Sequence, residues 1–454
     1  MGVRLVSAGS PQRTAADPRN RGGGVHRVIL SRFNEPPGGY ARRVPTPVIP
    51  THSDSLRVCF VSMHTSPASP PGAGDAGGMN VVELAQALAL ARCGHQVDLV
   101  TRRQSPQDPE HRELVPGVVL HHLDAGPATP LPKSVIDEHI DQFSAGLAGL
   151  GHFDLYHSHH WMSGMAALPV ARSAGVRHVQ SFHSVAAPSG SSLDAGEPPE
   201  SPRRVPGEAQ VATASDAVVA ISAAEARTVI ERCGADPDRV HIISPGVDHE
   251  LFRPRRAGEV DWTPPGGAGR NGFLAFAGRL QPLKGADLAI AALAGIDPAI
   301  RPRLVVAGEA SQDFADYPDQ LRRAVAESGL SDDVEFCGPL PRPELAQMLR
   351  SARLALVPSY SETFGLIALE AQASGVPVVA ACAGGLREAV AHAETGYLVD
   401  SRDPAVWSRV LTGLLAEPDR LTRLGQVARV HALRFDWLWT ARRLAECYRE
   451  VLAQ

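Results

Sequence analysis

The stretch Leu56-Arg-Val-Cys-Phe-Val-Ser62 is a nearly continuous apolar run, followed by a loop rich in Gly and Pro. Such a run reads as a strand buried on both faces of a parallel sheet. A helix is expected next, from about Met79 to Cys93, and Gly94-His-Gln-Val-Asp-Leu-Val-Thr101 reads as a second strand. This β-loop-α-β opening is Rossmann-like. Further strands are expected near Val118–Leu123, Leu155–His157, His178–Phe182, Ala217–Ile221 and Val240–Ile243, with helices between most of them, for example Val135 to Leu150 and Ser222 to Cys233. A second alternation begins near 272. Its strands fit Phe273–Ala277, Arg303–Ala307, Val334–Cys337, Leu354–Pro358, Val376–Ala380 and Gly396–Val399. Helices at about 285–294, 317–328, 343–351, 365–374, 385–392 and 404–416 separate them. Pro and Gly clusters between Pro254 and Asn271 mark a linker or an insertion near it. The chain is therefore α/β, with two Rossmann-like halves.

Bulk properties bound the function. The 454 residues allow two or three domains, and 44% hydrophobic with 20% charged residues is ordinary globular composition. A net charge of -5 argues against a nucleic-acid partner. Six cysteines are scattered without a Cys-x-x-Cys pair, which suggests buried thiols in a reducing, cytoplasmic setting. No apolar run approaches the length of a membrane span. Residues 1–54 are rich in Arg, Gly and Pro, lack periodicity, and carry no apolar core of a secretory signal. They read as a disordered leader or as sequence upstream of the true start, although Met63 lies too deep in the first strand to be that start; a basic binding tail is the alternative.

Three groups of residues carry chemistry. In Ser361-Glu-Thr-Phe-Gly-Leu-Ile-Ala-Leu-Glu370 two carboxylates stand eight residues apart, a little over two helical turns. If the helix reaches back to Glu362, both face one way: one for sugar hydroxyls, the other for a ribose diol. By spacing alone the pair also fits two solvated carboxylates. Upstream, the strand ending Ala277-Gly278 leads into a loop with Arg279 and Lys284. Arg can grip a diphosphate bidentately and Lys supplies a point charge; a solvated basic edge is the plainer reading. Gly77-Gly78 at a strand–helix junction lets backbone approach a ligand, and the amides of Gly78, Met79 and Asn80 could face a phosphate; a tight turn would look the same. Cations for a diphosphate and carboxylates for hydroxyls together describe a nucleotide-sugar pocket.

Gly278-Arg279 with Lys284, then Glu362-x7-Glu370, resembles the donor domain of the retaining GT-B glycosyltransferases of family four, the sucrose-synthase-like family. His64-Thr-Ser-Pro67 and Gly74-Asp75-Ala76-Gly77-Gly78-Met79-Asn80 resemble one branch of it, the inositol-phosphate glycosyltransferases of mycothiol biosynthesis. The match spans about residues 56 to 440. It implies a GT-B fold, two Rossmann-like domains facing across a cleft. The expected divisions are the leader 1–54, an acceptor-binding domain 55–253, the linker 254–271, a nucleotide-sugar domain 272–430, and a C-terminal helix, 431–454, crossing back to the first domain. The aromatics of Phe435-Asp-Trp437-Leu-Trp439 would anchor that crossing.

The resemblance also implies roles. The donor would be UDP-N-acetylglucosamine, held by Pro70, Pro71, Gly78, Arg279, Lys284, Glu362 and Glu370. The first of the two prolines stands where the family often has Gln. The acceptor would be 1D-myo-inositol 3-phosphate, held by His64, Asp75, Ala76, Gly77, Gly78, Met79 and Asn80, with Lys133 and Arg204 on its phosphate. Pro202 and Pro206 flank Arg204 atypically, and Arg203 is the alternative register. Without the resemblance Lys133 reads as a surface lysine. Ser184 stands where the family has Thr, keeping the hydroxyl. His160 stands where it has Tyr, adding a titrating charge. His183 would sit near the transferred sugar, and Arg279, Lys284 and Glu362 would complete the catalytic set.

His157, His159, His160 and His183 invite a metal reading, yet no acid or cysteine lies beside them at zinc spacing. Chemistry would need no cofactor, and no metal-binding Asp-x-Asp is expected. A structural magnesium ion on backbone oxygens of Leu349, Arg350 and Ala352, and a homodimer, are implied by the family alone. Two other readings stay open: a sister enzyme with another cyclitol or lipid acceptor, and a non-catalytic nucleotide-binding protein. Gly72-Ala-Gly74-Asp-Ala-Gly77 spells a dinucleotide fingerprint, but it falls well past the strand.

Overall fold

The computed structural model describes residues 55–72, 76–190, 201–310 and 312–454. The leader and Asp75 lie outside them. Two sheets organise the chain. The first contains Arg57–Ser62 (β1), Gln96–Arg102 (β2), His111–Val115 (β3), Val118–Leu123 (β4), Leu155–His159 (β5), Arg177–Ser181 (β6), Ala217–Ala220 (β7) and Val240–Ile242 (β8). Its order is β3-β4-β2-β1-β5-β6-β7-β8. The second contains Phe273–Ala277 (β9), Arg303–Ala307 (β10), Val334–Gly338 (β11), Leu354–Val357 (β12), Val378–Ala381 (β13) and Gly396–Val399 (β14), in the order β11-β10-β9-β12-β13-β14. Every pairing is parallel except β3 with β4.

The continuous apolar reading of β1 has a simple basis. Cys59 and Val61 enter the core on one face, Val58 and Phe60 the core on the other. Period-two alternation between two buried faces leaves no polar positions. β3 was not expected; its side chains are mostly exposed, so it carries no apolar run.

Each sheet has a switch point, where the chain reverses its direction of strand addition. In the first it lies between β1 and β5, in the second between β9 and β12. Ligands of open α/β sheets bind beyond the carboxyl ends of strands at such points. His64 and His160 follow β1 and β5; Arg279 and Glu362 follow β9 and β12.

The last helix, Trp437–Leu452, starts at Asp436, whose carboxylate caps the amides of Leu438 and Trp439. It buries Ala441, Leu444, Ala445, Cys447, Tyr448 and Val451 in the same core as Val58, Phe60 and Leu90. The C-terminal helix thus crosses back to the first sheet. The anchors differ from the expected aromatics: Trp437 and Trp439 are only half-buried, and the deep contact comes from Tyr448, whose hydroxyl meets His157 Nδ1 at 2.7 Å. The residues facing inward recur at helical spacing from Ala441 onward, so the first-turn tryptophans fall at the rim.

Candidate functional site

A cavity of about 430 Å³ is lined from both halves of the chain, a volume suited to a small-molecule ligand. Hydrogen bonds tie the halves together beside it. Thr363 Oγ1 donates to the His183 carbonyl at 2.7 Å, Ser222 Oγ donates to the Thr363 carbonyl at 2.7 Å, and the Ala223 amide donates to Glu388 at 2.9 Å.

On the side of the second sheet, β9 delivers Arg279, and a short 3-10 turn, Pro282–Lys284, delivers Lys284. Lys284 Nζ lies 2.7 Å from Glu362 Oε2, which also accepts from Ser359 Oγ at 3.2 Å. Glu362 precedes the helix, so the condition for the two carboxylates sharing one helical face is not met. The helix is Leu366–Ala373, and its N-cap Gly365 has φ +101°, so the helix cannot extend back to Glu362. The left-handed glycine turns the loop instead, and both carboxylates still line the cavity. Glu370 is buried and bonded to Arg342 at 2.6 Å. Burial raises its carboxyl above the ordinary range, opposed by Arg342. The Arg342 guanidinium sits over the Phe252 ring. Nothing in the local sequence marked Arg342, because its partner is 28 positions away.

On the other side, the helix Gly78–Arg92 opens onto the cavity with no acidic residue in its first turn. Gly77 backs directly onto Arg279: a Cβ there would stand 3.6 Å from its Nε. Ala76, Gly77, Gly78, Met79 and Asn80 all line the cavity. The Asn80 amide is internally committed, since Nδ2 donates to Thr65 Oγ1 at 2.9 Å and to the Ser66 carbonyl at 2.7 Å, and Oδ1 accepts from the Gly77 amide at 2.9 Å. Pro71 lines the cavity; Pro70 is exposed and does not.

Lys133, His64, His160, Ser184 and Arg204 converge on the same cavity. Lys133 is buried, not a surface lysine. Arg204, rather than Arg203, occupies the lining; its Nε bonds Glu208 at 2.8 Å and its Nη2 lies 3.4 Å from Ser184 Oγ. Glu208 also accepts the Ala186 amide at 3.0 Å, so it holds Arg204 and the following loop together. His64 and His160 lie side by side as a tilted pair, with ring centroids 4.2 Å apart and planes at 42°.

His183 follows β6 with φ 61°, and its Nε2 lies 2.8 Å from His159 Nδ1. Burial pushes its imidazole down to about 3. His159 stacks in turn on His157, as their alternation along β5 requires. The acid missing from the local sequence comes from elsewhere: Glu83 brings a carboxylate within 4.8 Å of the His159 and His183 nitrogens. Its Oε1 accepts from Ser62 Oγ at 3.0 Å. The 2.8 Å His159–His183 separation is a hydrogen bond and leaves no room for an ion between those nitrogens. Glu225, another cavity residue that sequence reading passed over, is a buried carboxyl that burial pushes up to about 7; it accepts the Ile221 amide at 2.7 Å.

Two expectations about metals meet the structure here. Asp236-Pro237-Asp238 does spell Asp-x-Asp, contrary to expectation. It forms a turn in which Asp236 caps the Asp238 amide, and it is not part of the cavity lining. Leu349, Arg350 and Ala352 lie at the C-terminal end of the helix Arg342–Ser351, also outside the lining.

Residues 77–246 match the glycosyl transferase 4-like domain, and residues 265–431 match glycosyl transferases group 1. The chain is 43% identical over 408 residues to D-inositol 3-phosphate glycosyltransferase of Thermomonospora curvata, covering 86% of this chain and 95% of that protein. It is likewise 43% identical to the protein of the same name from Frankia alni, covering 86% and 98%. Among solved structures, sucrose-phosphate synthase from Thermosynechococcus elongatus superposes with a TM-score of 0.78 at 27% identity, covering 88% of this chain and 99% of that one. The catalytic domain of starch synthase IV from Arabidopsis thaliana shares the fold at a TM-score of 0.69 and 15% identity, covering 88% and 100%.

Proposed function

The chain belongs to the GT-B glycosyltransferases, in the family of the D-inositol 3-phosphate glycosyltransferases, and from that premise we propose that it transfers N-acetylglucosamine from UDP-N-acetylglucosamine to 1D-myo-inositol 3-phosphate. One observation carries the reading: a single cavity gathers Lys133, Arg204 and the two neighbouring imidazoles of His64 and His160 from the first half opposite Arg279, Lys284 and two carboxylates from the second. The first set suits a phosphate monoester, the second a sugar diphosphate.

In the proposed reaction the bond between the sugar anomeric carbon and the diphosphate oxygen breaks. Its electron pair stays on the diphosphate, where Arg279 and Lys284 stabilise the developing charge. The acceptor hydroxyl attacks from the same face, and its proton passes to the departing phosphate oxygen, so configuration is retained. Lys284 is bonded to Glu362 before any donor arrives; the diphosphate then shares that lysine and Glu362 turns to the sugar hydroxyls. Glu370, held by Arg342, takes the ribose hydroxyls. His183, its ring fixed by His159, lies beside the transferred sugar.

A structural magnesium ion is compatible with the backbone oxygens of Leu349, Arg350 and Ala352. They cluster at the C-terminal, negative end of a helix and are hard donors. The ion would supply only fixed charge there. Six unpaired thiols support a cytoplasmic setting.

The test is the product itself. Incubating both substrates with the protein and reading the anomeric proton by NMR should give the α-linked N-acetylglucosaminide. A β-linked product would overturn retention.

A further inference from the structure

His64 and His160 form a buried pair at the switch point between β1 and β5. Both ring nitrogens of His160 and Nδ1 of His64 are buried without a hydrogen-bond partner. Buried polar atoms in a native fold are normally paired, so three unpaired nitrogens on two residues that line the cavity point to a ligand. The His160 backbone is held tightly for this purpose. At φ 73° it donates its amide to the Ser181 carbonyl at 2.8 Å and accepts from Gln180 Nε2 at 3.2 Å and the Gly164 amide at 3.2 Å. A non-glycine residue at positive φ is strained and is kept where the fold needs its side chain aimed.

Charge and donor counting say what the ligand needs. Arg204 is already answered by Glu208 at 2.8 Å, so Lys133 and Arg204 offer a phosphate at most one net positive charge. A phosphate monoester near neutral pH carries close to two negative charges and only acceptor oxygens. A neutral imidazole offers one N–H and one lone pair; only the protonated ring donates from both nitrogens. The groups acting on His160 are His64, Lys133, Arg204 and His183, and Arg279 also acts on His64. With burial, these cationic or protonatable neighbours keep both rings neutral while the cavity holds no anion.

Resting on the inositol-phosphate reading above, we propose that the His64–His160 pair takes up one proton when the acceptor phosphate docks, and thereby selects a dianionic monoester over a monoanionic ester. The proton supplies the missing charge and converts a lone pair facing phosphate oxygen into a donor. A sulfate monoester of the same cyclitol, with one charge, gains less from that proton and binds more weakly.

The experiment is calorimetry of the full chain saturated with UDP, titrated with 1D-myo-inositol 3-phosphate at pH 7.5 in two buffers of different ionisation enthalpy. Bound-phosphate 31P shifts check that the ligand stays dianionic. The expected result is uptake of about one proton, falling by at least half in His160→Gln and in His160→Tyr, which keeps a donor but cannot gain charge at this pH. UDP affinity should be unchanged in both. Acceptor binding without proton uptake, or uptake unchanged in both His160 variants and in His64→Gln, overturns the proposal. No acceptor binding while UDP still binds overturns the inositol-phosphate reading itself, and the proposal with it.

Discussion

Lys284 Nζ and Glu362 Oε2 lie 2.7 Å apart, across 78 residues of sequence, on the two loops that follow β9 and β12. Each neutralises the other in the absence of a donor, and neither is more than a quarter exposed. The arrangement stores a cation where a diphosphate would sit without leaving it unpaired, which a half-buried charge would not tolerate cheaply.

Removing the lysine should therefore damage the donor side in two ways. On the proposed reading, Lys284→Ala would deprive the leaving group of a charge and leave Glu362 facing the diphosphate. A fall of roughly 100- to 1,000-fold in kcat/KM for the donor is expected, the scale of losing one preorganised electrostatic contact. Steady-state kinetics at saturating acceptor measure it. Activity within about threefold of the parent enzyme, far below that scale, would remove Lys284 from the leaving-group role.

Lys133 provides the complementary separation. It lines the cavity from the first half of the chain, whereas Lys284 and Glu362 line it from the second. Lys133→Ala should raise the acceptor KM by roughly 10- to 100-fold, the loss of one charged hydrogen bond. UDP binding should stay nearly intact. Equal loss of UDP affinity would refute its assignment to the acceptor.

The C-terminal crossing can be tested without touching the chemistry. Tyr448 is fully buried, and its hydroxyl meets His157 Nδ1 at 2.7 Å. Tyr448→Phe leaves that nitrogen unpaired, at a cost of about 1–3 kcal/mol. The urea midpoint should fall while both KM values hold. An unchanged midpoint would mean that the contact contributes nothing to stability.

Protonation should unfold this protein from the acid side. His178 sits between Ser158 Oγ at 2.8 Å and Ser215 Oγ at 3.0 Å, and burial pushes it down to about 3. His183 is also near 3, and His64, His157, His159 and His160 are all shifted downward by burial. Folded values below unfolded ones mean that this stability is complete above about 6.5 and is lost as pH falls toward the folded values. Each group costs on the order of 1 kcal/mol per pH unit in that window. The carboxyls of Glu83, Glu225 and Glu370, all raised by burial and Glu225 to about 7, work in the opposite sense, their stability lost as pH rises through the folded values, but they are three groups against six imidazoles. Melting temperature should drop steeply from pH 6.5 to pH 5; a flat profile would contradict the neutral assignments.

The sequence made the strands legible because their burial on two faces leaves continuous apolar runs, as in β1 and β9. The cavity positions that were legible from the residues, such as Gly77, Gly78, Arg279, Lys284 and Glu362, lie in short motifs at strand ends, while Lys133, His160, Ser184 and Arg204 came from the family resemblance. What stayed hidden depends on long-range pairing. Glu83 reaches His159 from a different helix, Arg342 reaches Glu370 from another, and Thr363 bonds the His183 carbonyl over 180 residues. The helix does not reach back to Glu362 for a local reason, the left-handed Gly365 between the two carboxylates. The lining role of Arg342 leaves no pattern at all, since an arginine after a proline at a helix start is unremarkable.

The most direct test of the central claim is UDP release from UDP-N-acetylglucosamine by the purified protein, with 1D-myo-inositol 3-phosphate, with myo-inositol, and with no acceptor. The account predicts turnover with the phosphate alone. Equal turnover with myo-inositol, or UDP binding without turnover on either, would contradict it and move the acceptor to another molecule.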